Sequence, residues 1–399
     1  MKQTSKLEAI NQFSAMKRKN IAYFSNHFIS NHGHGISRYS KNLFYALNKI
    51  EQKLNIIPVS ANKRSITAHE LKILKKKTKL ELIYYGRILT PILWKVFDRP
   101  KIENIIKLEP DIVHALSLSY PIATKKPLIT TIHDIGPLSH PEYFTKKDHF
   151  FMKYGFEQVI NKASTIICVS NATANSAAHY SKKNFKIPIE NKIKVIHEGI
   201  DDFCYSDNKF YNESKIWNKN RSNPYILFVG KLSPRKNLAL ILNSLDKIKH
   251  YIKDIKLIIV GGYGWNYKPT LKLIYEMKQK HDIVFHNYIS DENLKFLYQN
   301  ALAYINPSLF EGFGLTNLEA MACSCPVISS DIKSLNEISG NSALLINPKD
   351  ENALCNAVIS LYNDNCIRKE YVNRGLKRVK KFSWKKTSKE TYDVYLNNL

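Results

Sequence analysis

Residues 306–322 read Asn-Pro-Ser-Leu-Phe-Glu-Gly-Phe-Gly-Leu-Thr-Asn-Leu-Glu-Ala-Met-Ala and lead from the end of an apolar strand into a helix. The loop carries Glu311, and Glu319 follows eight positions later in the helix. Gly312 and Gly314 allow backbone amides to face a ligand, and a helix start attracts negative charge such as a phosphate. Two simply solvated glutamates are the alternative, which the apolar neighbours disfavour. The stretch therefore predicts a strand-loop-helix ligand site with two carboxylates.

Apolar, β-branched runs of strand length recur on both sides of this stretch and alternate with segments of helical spacing. Runs that are apolar on both faces are typical of parallel strands covered by helices. Residues 205–223 interrupt the pattern with a polar, Asn-, Ser- and Lys-rich stretch that ends at Pro224, which is typical of a linker. Two successive α/β domains are therefore predicted. Their strands are Asn20–Phe24, Asn55–Val59, Asp111–Leu116, Leu128–His133, Thr165–Ser170, Lys194–His197, Tyr225–Val229, Lys256–Val260, Ile283–Phe285, Ala301–Asn306, Pro326–Ser329 and Ala343–Ile346.

The composition supports two folded domains and limits the class of protein. The 399 residues are 44% apolar, which is enough for real cores. The formal net charge of +26 favours anionic partners, although much of the excess is Lys in a chain also rich in Asn and Ile, as compositional habit produces. No run approaches the ~18 to 20 apolar residues of a membrane span. The charged first 25 residues do not resemble a signal peptide, and the six cysteines form no disulfide or zinc pattern, so a cytoplasmic setting is expected.

Three further loops follow predicted strands, where ligands of parallel sheets bind. Gly33 and Gly35 precede a helix and would let a phosphate approach the backbone, although such a turn is as often mere geometry. His133 ends a strand, a position that favours ligand contact over a structural role. Lys231-Leu-Ser-Pro-Arg-Lys-Asn237 places three cations around a proline turn, which suits a diphosphate. The alternative for this turn is a solvated loop of a Lys-rich chain.

The order of these motifs resembles the retaining glycosyltransferases with the GT-B fold, and within them glycosyltransferase family 4. Glu311 to Glu319 is similar to the E-x7-E signature of that family, and Tyr225–Asn237 to its strand, Gly and Pro-Arg-Lys-Asn element. Gly35-Ile-Ser-Arg38 resembles its N-terminal Gly-Ile-x-Arg turn. Other matches in family order are His133-Asp134, Cys168-Val-Ser-Asn171, His197-Glu-Gly-Ile-Asp201 and Phe382-Ser-Trp384. The resemblance spans about residues 20 to 395.

The resemblance implies an α/β protein of two Rossmann-like, doubly wound parallel-sheet domains that face a central cleft. The N-terminal, acceptor-binding domain would comprise residues 1–205, and the C-terminal, nucleotide-sugar-binding domain residues 222–383. A last helix, at about 384–399, would pack back onto the N-terminal domain.

The resemblance also implies roles for individual residues. Glu311 would contact hydroxyls of the transferred sugar, and Glu319 the ribose of the nucleotide. Lys236, with Arg235 nearby, would neutralise the diphosphate leaving group, and His133 would reach the sugar and its phosphate from the N-terminal domain. The remaining donor contacts would come from glycines and from residues beside the diphosphate and the nucleobase, namely Gly33, Gly35, Lys231, Ile289, Gly312, Phe313, Gly314 and Leu315.

Three positions depart from the family pattern. Lys231 stands where many members have Arg, which leaves open whether Lys231 or Arg235 makes the second diphosphate contact. Thr316 replaces the usual Pro and Ser324 the usual Gly. None of these changes removes a charged group, so activity is expected to persist.

The resemblance implies a retaining hexosyl transfer. The reaction is expected to be metal-independent because the sequence contains no Asp-x-Asp motif, and no residue is an obvious covalent nucleophile. No cofactor is expected beyond the nucleotide-sugar donor. The motifs look most like the mannosyltransferase branch, which uses GDP-mannose, while UDP-linked glucose, galactose or N-acetylglucosamine remain alternatives. The expected acceptor is a glycan or lipid-linked glycan in bacterial surface polysaccharide assembly, such as lipopolysaccharide.

Residues 72–107 bear on where the protein works. Lysines precede a run of aromatic and aliphatic residues there, a composition that suits either an anionic membrane surface or an ordinary solvated helix beside core. Peripheral contact with the inner face of the cell membrane is one expectation.

A nucleotide-sugar epimerase shares the architecture but its characteristic motifs are not seen, and no nucleic-acid partner is expected because no basic-aromatic module is recognisable.

Overall fold

A computed structural model describes residues 18–29, 35–50, 54–61, 67–118, 120–201, 204 and 223–399. Its strands form two parallel sheets. The first has the order β3-β2-β1-β4-β5-β6-β7, with β1 Lys19–Phe24, β2 Leu54–Ser60, β3 Glu81–Leu82, β4 Ile112–Ala115, β5 Leu128–Ile132, β6 Ala163–Cys168 and β7 Ile193–Val195. The second has the order β10-β9-β8-β11-β12-β13, with β8 Tyr225–Val229, β9 Lys256–Val260, β10 Ile283–His286, β11 Ala303–Asn306, β12 Val327–Ser330 and β13 Leu344–Ile346.

Helices connect the strands of each sheet. In the first half they are α1 Gly35–Leu47, α2 Ala68–Thr78, α3 Gly86–Val96, α4 Gly136–Ser139, α5 Lys146–Lys162 and α6 Asn171–Phe185. In the second half they are α7 Leu238–Tyr251, α8 Lys268–Lys278, α9 Asp291–Asn300, α10 Leu315–Ala322, α11 Lys333–Ser339, α12 Glu351–Asn363, α13 Asn365–Val379 and α14 Trp384–Leu396.

Both sheets reverse their strand order in the middle, as doubly wound sheets do. The reversal falls between β1 and β4 in the first sheet and between β8 and β11 in the second. All registered strand pairs are parallel, for example Ala303 beside Ile226. The predicted α/β fold class is therefore confirmed, and ligands are expected at the carboxyl ends of the strands beside each reversal.

The apolar runs predicted all but one of the strands. β3 is only two residues long and pairs with the end of β2, at Val59 and Ser60. A strand so short leaves no periodic pattern in the sequence. The predicted linker at residues 205–223 lies outside the described residues except for its last member.

The last helix packs against the N-terminal half rather than against the sheet that precedes it in the chain. Trp384 packs against Tyr39 of α1 with ring centroids 5.8 Å apart, and its Nε1 donates to Asp201 at 3.3 Å. Near the other end of α14, Tyr395 Oη lies 2.7 Å from His114 Nδ1. The helix therefore joins the two halves of the chain.

A continuous apolar core accompanies this connection. One buried cluster includes Tyr39 and Ile196 from the first half and Tyr298, Phe313 and Tyr395 from the second. Burial of this kind of area is the dominant favourable term in association between domains. Within the described ranges, no helix is long and apolar enough to cross a membrane.

Candidate active site

The two loops predicted to bind a ligand lie side by side at the reversal point of the second sheet. β8 and β11 are neighbours, so the turn at 230–237 and the loop at 307–314 leave the same edge. Leu309 N donates to Arg235 O at 2.8 Å, and Asn237 Nδ2 donates to Pro307 O at 3.1 Å. These bonds hold the cationic turn against the carboxylate-bearing loop.

Glu311 is the centre of a buried ion cluster. Its Oε1 accepts a hydrogen bond from Lys236 Nζ, and its Oε2 lies 3.0 Å from Arg235 Nη1. The hydroxyl of Ser308 is 3.0 Å from Oε1. Burial alone would raise the pKa of Glu311, but the two cations outweigh it and lower the pKa to about 2. Glu311 is therefore an ionised acceptor, suited to binding hydroxyl groups rather than to donating a proton.

Cations and carboxylates are packed together around Glu311. Burial lowers the pKa of Lys236, with Glu311 and Glu319 acting in the opposite direction. Glu311 and Asp134 raise the pKa of Arg235 against the effect of burial. Burial and the nearby Arg235 lower the pKa of Lys231, which is exposed. Arg235 contacts Glu311 directly and Lys231 lies near Arg235, so both residues named for the second diphosphate contact belong to this turn.

Glu319, in α10, is the second buried carboxylate of the site. Its side chain is 3% exposed, and its Oε1 lies 2.8 Å from Arg38 Nη1 of the N-terminal half. Tyr298 donates to Oε2 at 3.4 Å. Burial raises the pKa of Glu319 to about 7, although Arg38 opposes the rise. Glu311 and Glu319 both raise the pKa of Lys236 against the effect of burial, so the two carboxylates belong to one site.

The glycines of the loop allow the two domains to touch. A Cβ on Gly312 would lie 2.0 Å from the backbone oxygen of His133. Gly312 O accepts hydrogen bonds from Ser170 Oγ at 2.7 Å and Thr173 Oγ1 at 3.1 Å, both in the N-terminal half. Gly314 has φ +101°, a left-handed conformation that glycine adopts without strain, and it precedes the first turn of α10.

The loop side chains between and after these glycines turn in different directions. Phe313 is buried against Phe382, with ring centroids 6.1 Å apart, and therefore belongs to the core. Leu315 is the first residue of α10 and is partly buried.

His133 follows β5 and lies across the domain boundary from the loop of Glu311. Its Nδ1 is 3.1 Å from Glu198 Oε1, and its Nε2 is 3.0 Å from Leu116 O. The ring stands edge-on to Tyr39, with centroids 4.6 Å apart. These contacts orient the ring, while its backbone adjoins Gly312. The structure brings His133 to the cleft but pairs its nitrogens with protein atoms.

The remaining predicted donor contacts lie at the rim. Gly35 opens α1, and no atom of the described residues lies within 4 Å of where its Cβ would be, so they leave space beside it. Ile289 is partly buried at the end of the loop before α9. Gly33 lies outside the described residues.

Two residues that organise the cleft were not predicted as site residues. Arg38 ends the Gly35-Ile-Ser-Arg38 motif, but the motif predicted no role for its side chain. Glu337, in α11, accepts from the backbone N–H groups of Asn171 at 2.8 Å and Ala172 at 2.9 Å and lies 3.0 Å from His197 Nε2. It caps the first turn of α6 from the other domain, and these contacts lower its pKa to about 2 against the effect of burial. A single exposed-looking Glu in a short helix gives no signal for this role.

The fold and the site together define a class of protein. Two Rossmann-like sheets face each other across a cleft, and a carboxylate held by Lys and Arg lies at the reversal point of the second sheet. This is the arrangement of an α/β enzyme of the GT-B fold.

Sequence comparison gives the family. Residues 33–202 match the family model "Glycosyltransferase Family 4", and residues 210–378 match "Glycosyl transferases group 1". The chain belongs to this family of glycosyltransferases.

Individual relatives are consistent with that family. The chain is 28% identical over 275 residues to O-antigen chain mannosyltransferase B of Escherichia coli, covering 67% of this chain and 69% of the relative. It is 30% identical over 253 residues to an O-antigen chain mannosyltransferase of Salmonella typhimurium, covering 61% and 65%. The chain thus spans about two thirds of the length of these relatives. Among solved structures, sucrose-phosphate synthase of Thermosynechococcus elongatus superposes with a TM-score of 0.74 at 19% identity, over 95% of this chain and 99% of that one. That likeness confirms the GT-B fold.

The contact of Gly312 with His133 O yields a first prediction. Gly312→Ala is expected to push the domains apart, because a methyl group has no room against a backbone oxygen. Small-angle X-ray scattering should show a larger radius of gyration, and the melting temperature should fall. Gly35→Ala is the matched control, since its methyl group meets open space. Equal radii for the two variants and the wild type would contradict the described contact.

Proposed function

We propose that the protein is a retaining glycosyltransferase that transfers a hexosyl residue, with GDP-mannose as the favoured donor. The observation that carries the proposal is the buried Glu311 between Lys236 and Arg235 at the carboxyl ends of β8 and β11. An ionised carboxylate accepts hydroxyl groups of a sugar, and the two cations complement a diphosphate. A sugar joined to a diphosphate presents both chemical groups at that spacing.

The donor would lie across the opening between the domains. Glu319 would accept the ribose hydroxyls, Ile289 would border the nucleobase, and Glu311 would bind hydroxyls of the transferred sugar. Lys236 and Arg235 would turn from Glu311 towards the phosphates when these arrive. The amides at the start of α10 would add a positive dipole end. His133 would adjoin the sugar from the N-terminal domain.

In the reaction, the bond between the anomeric carbon and the diphosphate oxygen breaks and leaves negative charge on the phosphate. Lys236, Arg235 and the helix start stabilise that charge in a cleft from which closure excludes water. The acceptor oxygen forms its bond on the face that the leaving group vacates, and its proton passes to a diphosphate oxygen. The configuration at the anomeric carbon is thereby retained. Because the protein's own cations can carry the leaving-group charge, we propose that no divalent cation takes part.

The choice of mannose draws on the relatives, two of which are named as mannosyltransferases of O-antigen chains. By the same route we propose a glycan or lipid-linked glycan of surface polysaccharide assembly as the acceptor. UDP-linked glucose, galactose or N-acetylglucosamine are the alternative donors. An epimerase of the same architecture is the alternative activity, and it would convert a nucleotide sugar without transferring its sugar to an acceptor.

The test is release of GDP or UDP from a panel of nucleotide sugars, with and without a chelator. We expect release from GDP-mannose that persists in EDTA and falls by about 10²-fold or more in Glu311→Ala and Glu311→Gln, because the sugar loses its acceptor carboxylate. Glu276→Ala, which removes an exposed carboxylate on α8, is the control and should be fully active. Full activity of both Glu311 variants would overturn the assignment of Glu311. Metal-restored activity would overturn the metal-free reaction, and a product that is an altered nucleotide sugar would indicate the epimerase.

We also propose that the protein works at the inner face of the membrane, held there by α3. This helix is apolar on two faces: Trp94 is buried in the core, whereas Ile88, Ile92 and Val96 are 65%, 48% and 63% exposed. Phe97, just beyond the helix, is 64% exposed. A helix that is apolar all round is normally covered on every side. The occupant that fits is a lipid bilayer.

The charge around α3 favours an anionic bilayer. A cavity of about 640 Å³ adjoins the helix, and its lining includes Tyr85, Phe97, Arg99, Lys101 and Lys125. Apolar residues next to cations are typical of surfaces that bind acidic headgroups. α2 adds a further run of lysines at 75–77.

Binding to vesicles tests this surface. The protein is expected to sediment with phosphatidylglycerol vesicles at 0.1 M salt, less at 1 M salt, because salt screens the headgroups. Ile92→Glu combined with Phe97→Glu should weaken binding at least about tenfold, since two charges would enter the apolar region. Tyr275→Glu, an equally exposed aromatic residue on α8, is the control. Equal binding of the two variants would contradict the assignment of α3.

A further inference from the structure

Arg38 reaches the other domain with its side chain. It lies in the first turn of α1, and its guanidinium contacts two acidic side chains of the C-terminal half. Nη1 is 2.8 Å from Glu319 Oε1, and Nη2 is 2.5 Å from Asp291 Oδ1. The Arg38 and Glu319 side chains are 20% and 3% exposed, so their ion pair is largely shielded from water, whereas Asp291 is 43% exposed.

A third carboxylate joins the cluster from the N-terminal half. Asp201 Oδ2 lies 3.4 Å from Arg38 Nη1, and its Oδ1 accepts hydrogen bonds from Asn42 Nδ2 at 2.5 Å and Trp384 Nε1 at 3.3 Å. These bonds fix Asp201, which in turn fixes the guanidinium. The guanidinium of Arg38 is thus held by Asp201 in its own domain, while its Nη1 and Nη2 atoms contact the other domain.

The carboxylates around Arg38 repel one another, and burial adds to the cost of their charge. Burial, helped by the charges of Asp201 and Asp291, raises the pKa of Glu319 to about 7 against the opposing effect of Arg38. The pKa of Asp201 is also raised by burial against the effect of Arg38. Without the guanidinium, a buried Glu319 would take up a proton and lose part of its capacity as an acceptor.

We propose that Arg38 is a positioning residue for the donor: it reaches across the cleft and holds Glu319 in the orientation in which that carboxylate accepts the ribose hydroxyls. The inference rests on the proposed function, which gives Glu319 the ribose. Each carboxylate oxygen has two lone pairs, so Oε1 can accept from Arg38 and from a hydroxyl together. Because Arg38 and Glu319 lie in different domains, Arg38 holds Glu319 in its binding orientation only when the two domains are close together.

A second contact between the domains provides the comparison. Glu337 caps α6 and contacts His197, and among the described residues its side chain makes these contacts rather than one to Glu319. Removing the charge of Glu337 weakens closure without altering the partners of Glu319. Arg38 and Glu337 variants therefore separate an effect on Glu319 from an effect on closure alone.

The experiment is calorimetric titration of GDP, and in parallel UDP, into the full chain between pH 6 and 9. The wild type is expected to bind more tightly as Glu319 ionises near pH 7. Arg38→Met should weaken binding about tenfold at pH 7.5 and move the pH midpoint up by about one unit, because Glu319 then stays protonated longer. Arg38→Lys should lie between, since it keeps the charge but not the fork. Glu337→Gln should leave the midpoint unchanged.

Several other titratable groups surround Glu319, and none is altered in these variants. They are Asp201, Cys204, Lys236, Asp291, Tyr298 and Tyr304. The shift in midpoint is therefore attributable to Arg38 when melting curves show each variant folded. If Arg38→Met is unfolded, Arg38→Lys carries the same test.

Glu319→Gln separates this inference from the proposed function. If Glu319→Gln binds both nucleotides like the wild type, or if the wild type binds neither, the donor site itself is wrong. If Glu319→Gln weakens binding while Arg38→Met and Arg38→Lys leave the affinity and the midpoint unchanged, only the role of Arg38 is refuted. In the double variant, loss of Arg38 should add little to loss of the Glu319 charge. Additive losses would also refute the role.

Discussion

Burying a carboxylate without a cation costs several kcal/mol of folding free energy. In the second domain, two cations beside Glu311 compensate for that cost. Lys236 and Arg235 reach it from the turn after β8, while Glu311 itself comes from the loop after β11. The two segments meet only because β8 and β11 are neighbours at the reversal of the sheet. The strand order of the sheet thus determines which charges come together. The resulting cluster holds the negative charge of Glu311 at neutral pH.

The second buried carboxylate, Glu319, has its cation in the other domain. Arg38 of the N-terminal half balances its negative charge, so the charge of Glu319 depends on how the two halves are placed. Gly312 and Glu337 act at the same boundary, one by allowing backbone to touch backbone and the other by capping α6. The α14 helix, at the end of the chain, joins the second half to the first by packing Trp384 against Tyr39. The site is therefore a property of both domains, although most of its charged groups belong to one.

The sequence alone predicts much of this because parallel sheets place function at strand ends. In the part of the chain that the structure describes, the apolar runs predict twelve of the thirteen strands, and the glycines and charges that follow them indicate the loops of the site. β3 escapes detection because two residues form no pattern. Contacts across the boundary escape it for another reason: Arg38 and Glu337 acquire their roles from partners more than a hundred residues away in the chain. Periodicity and local motifs carry no record of such pairs.

We propose that a nucleoside diphosphate binds between Glu311, Lys236 and Glu319. A crystal structure of the protein grown with GDP is the decisive test. We expect the diphosphate on Lys236 and Arg235 and the ribose hydroxyls on Glu319, with the site of the sugar open beside Glu311. A nucleotide bound elsewhere, for instance at the reversal of the first sheet, with the Glu311 cluster unchanged, would contradict it.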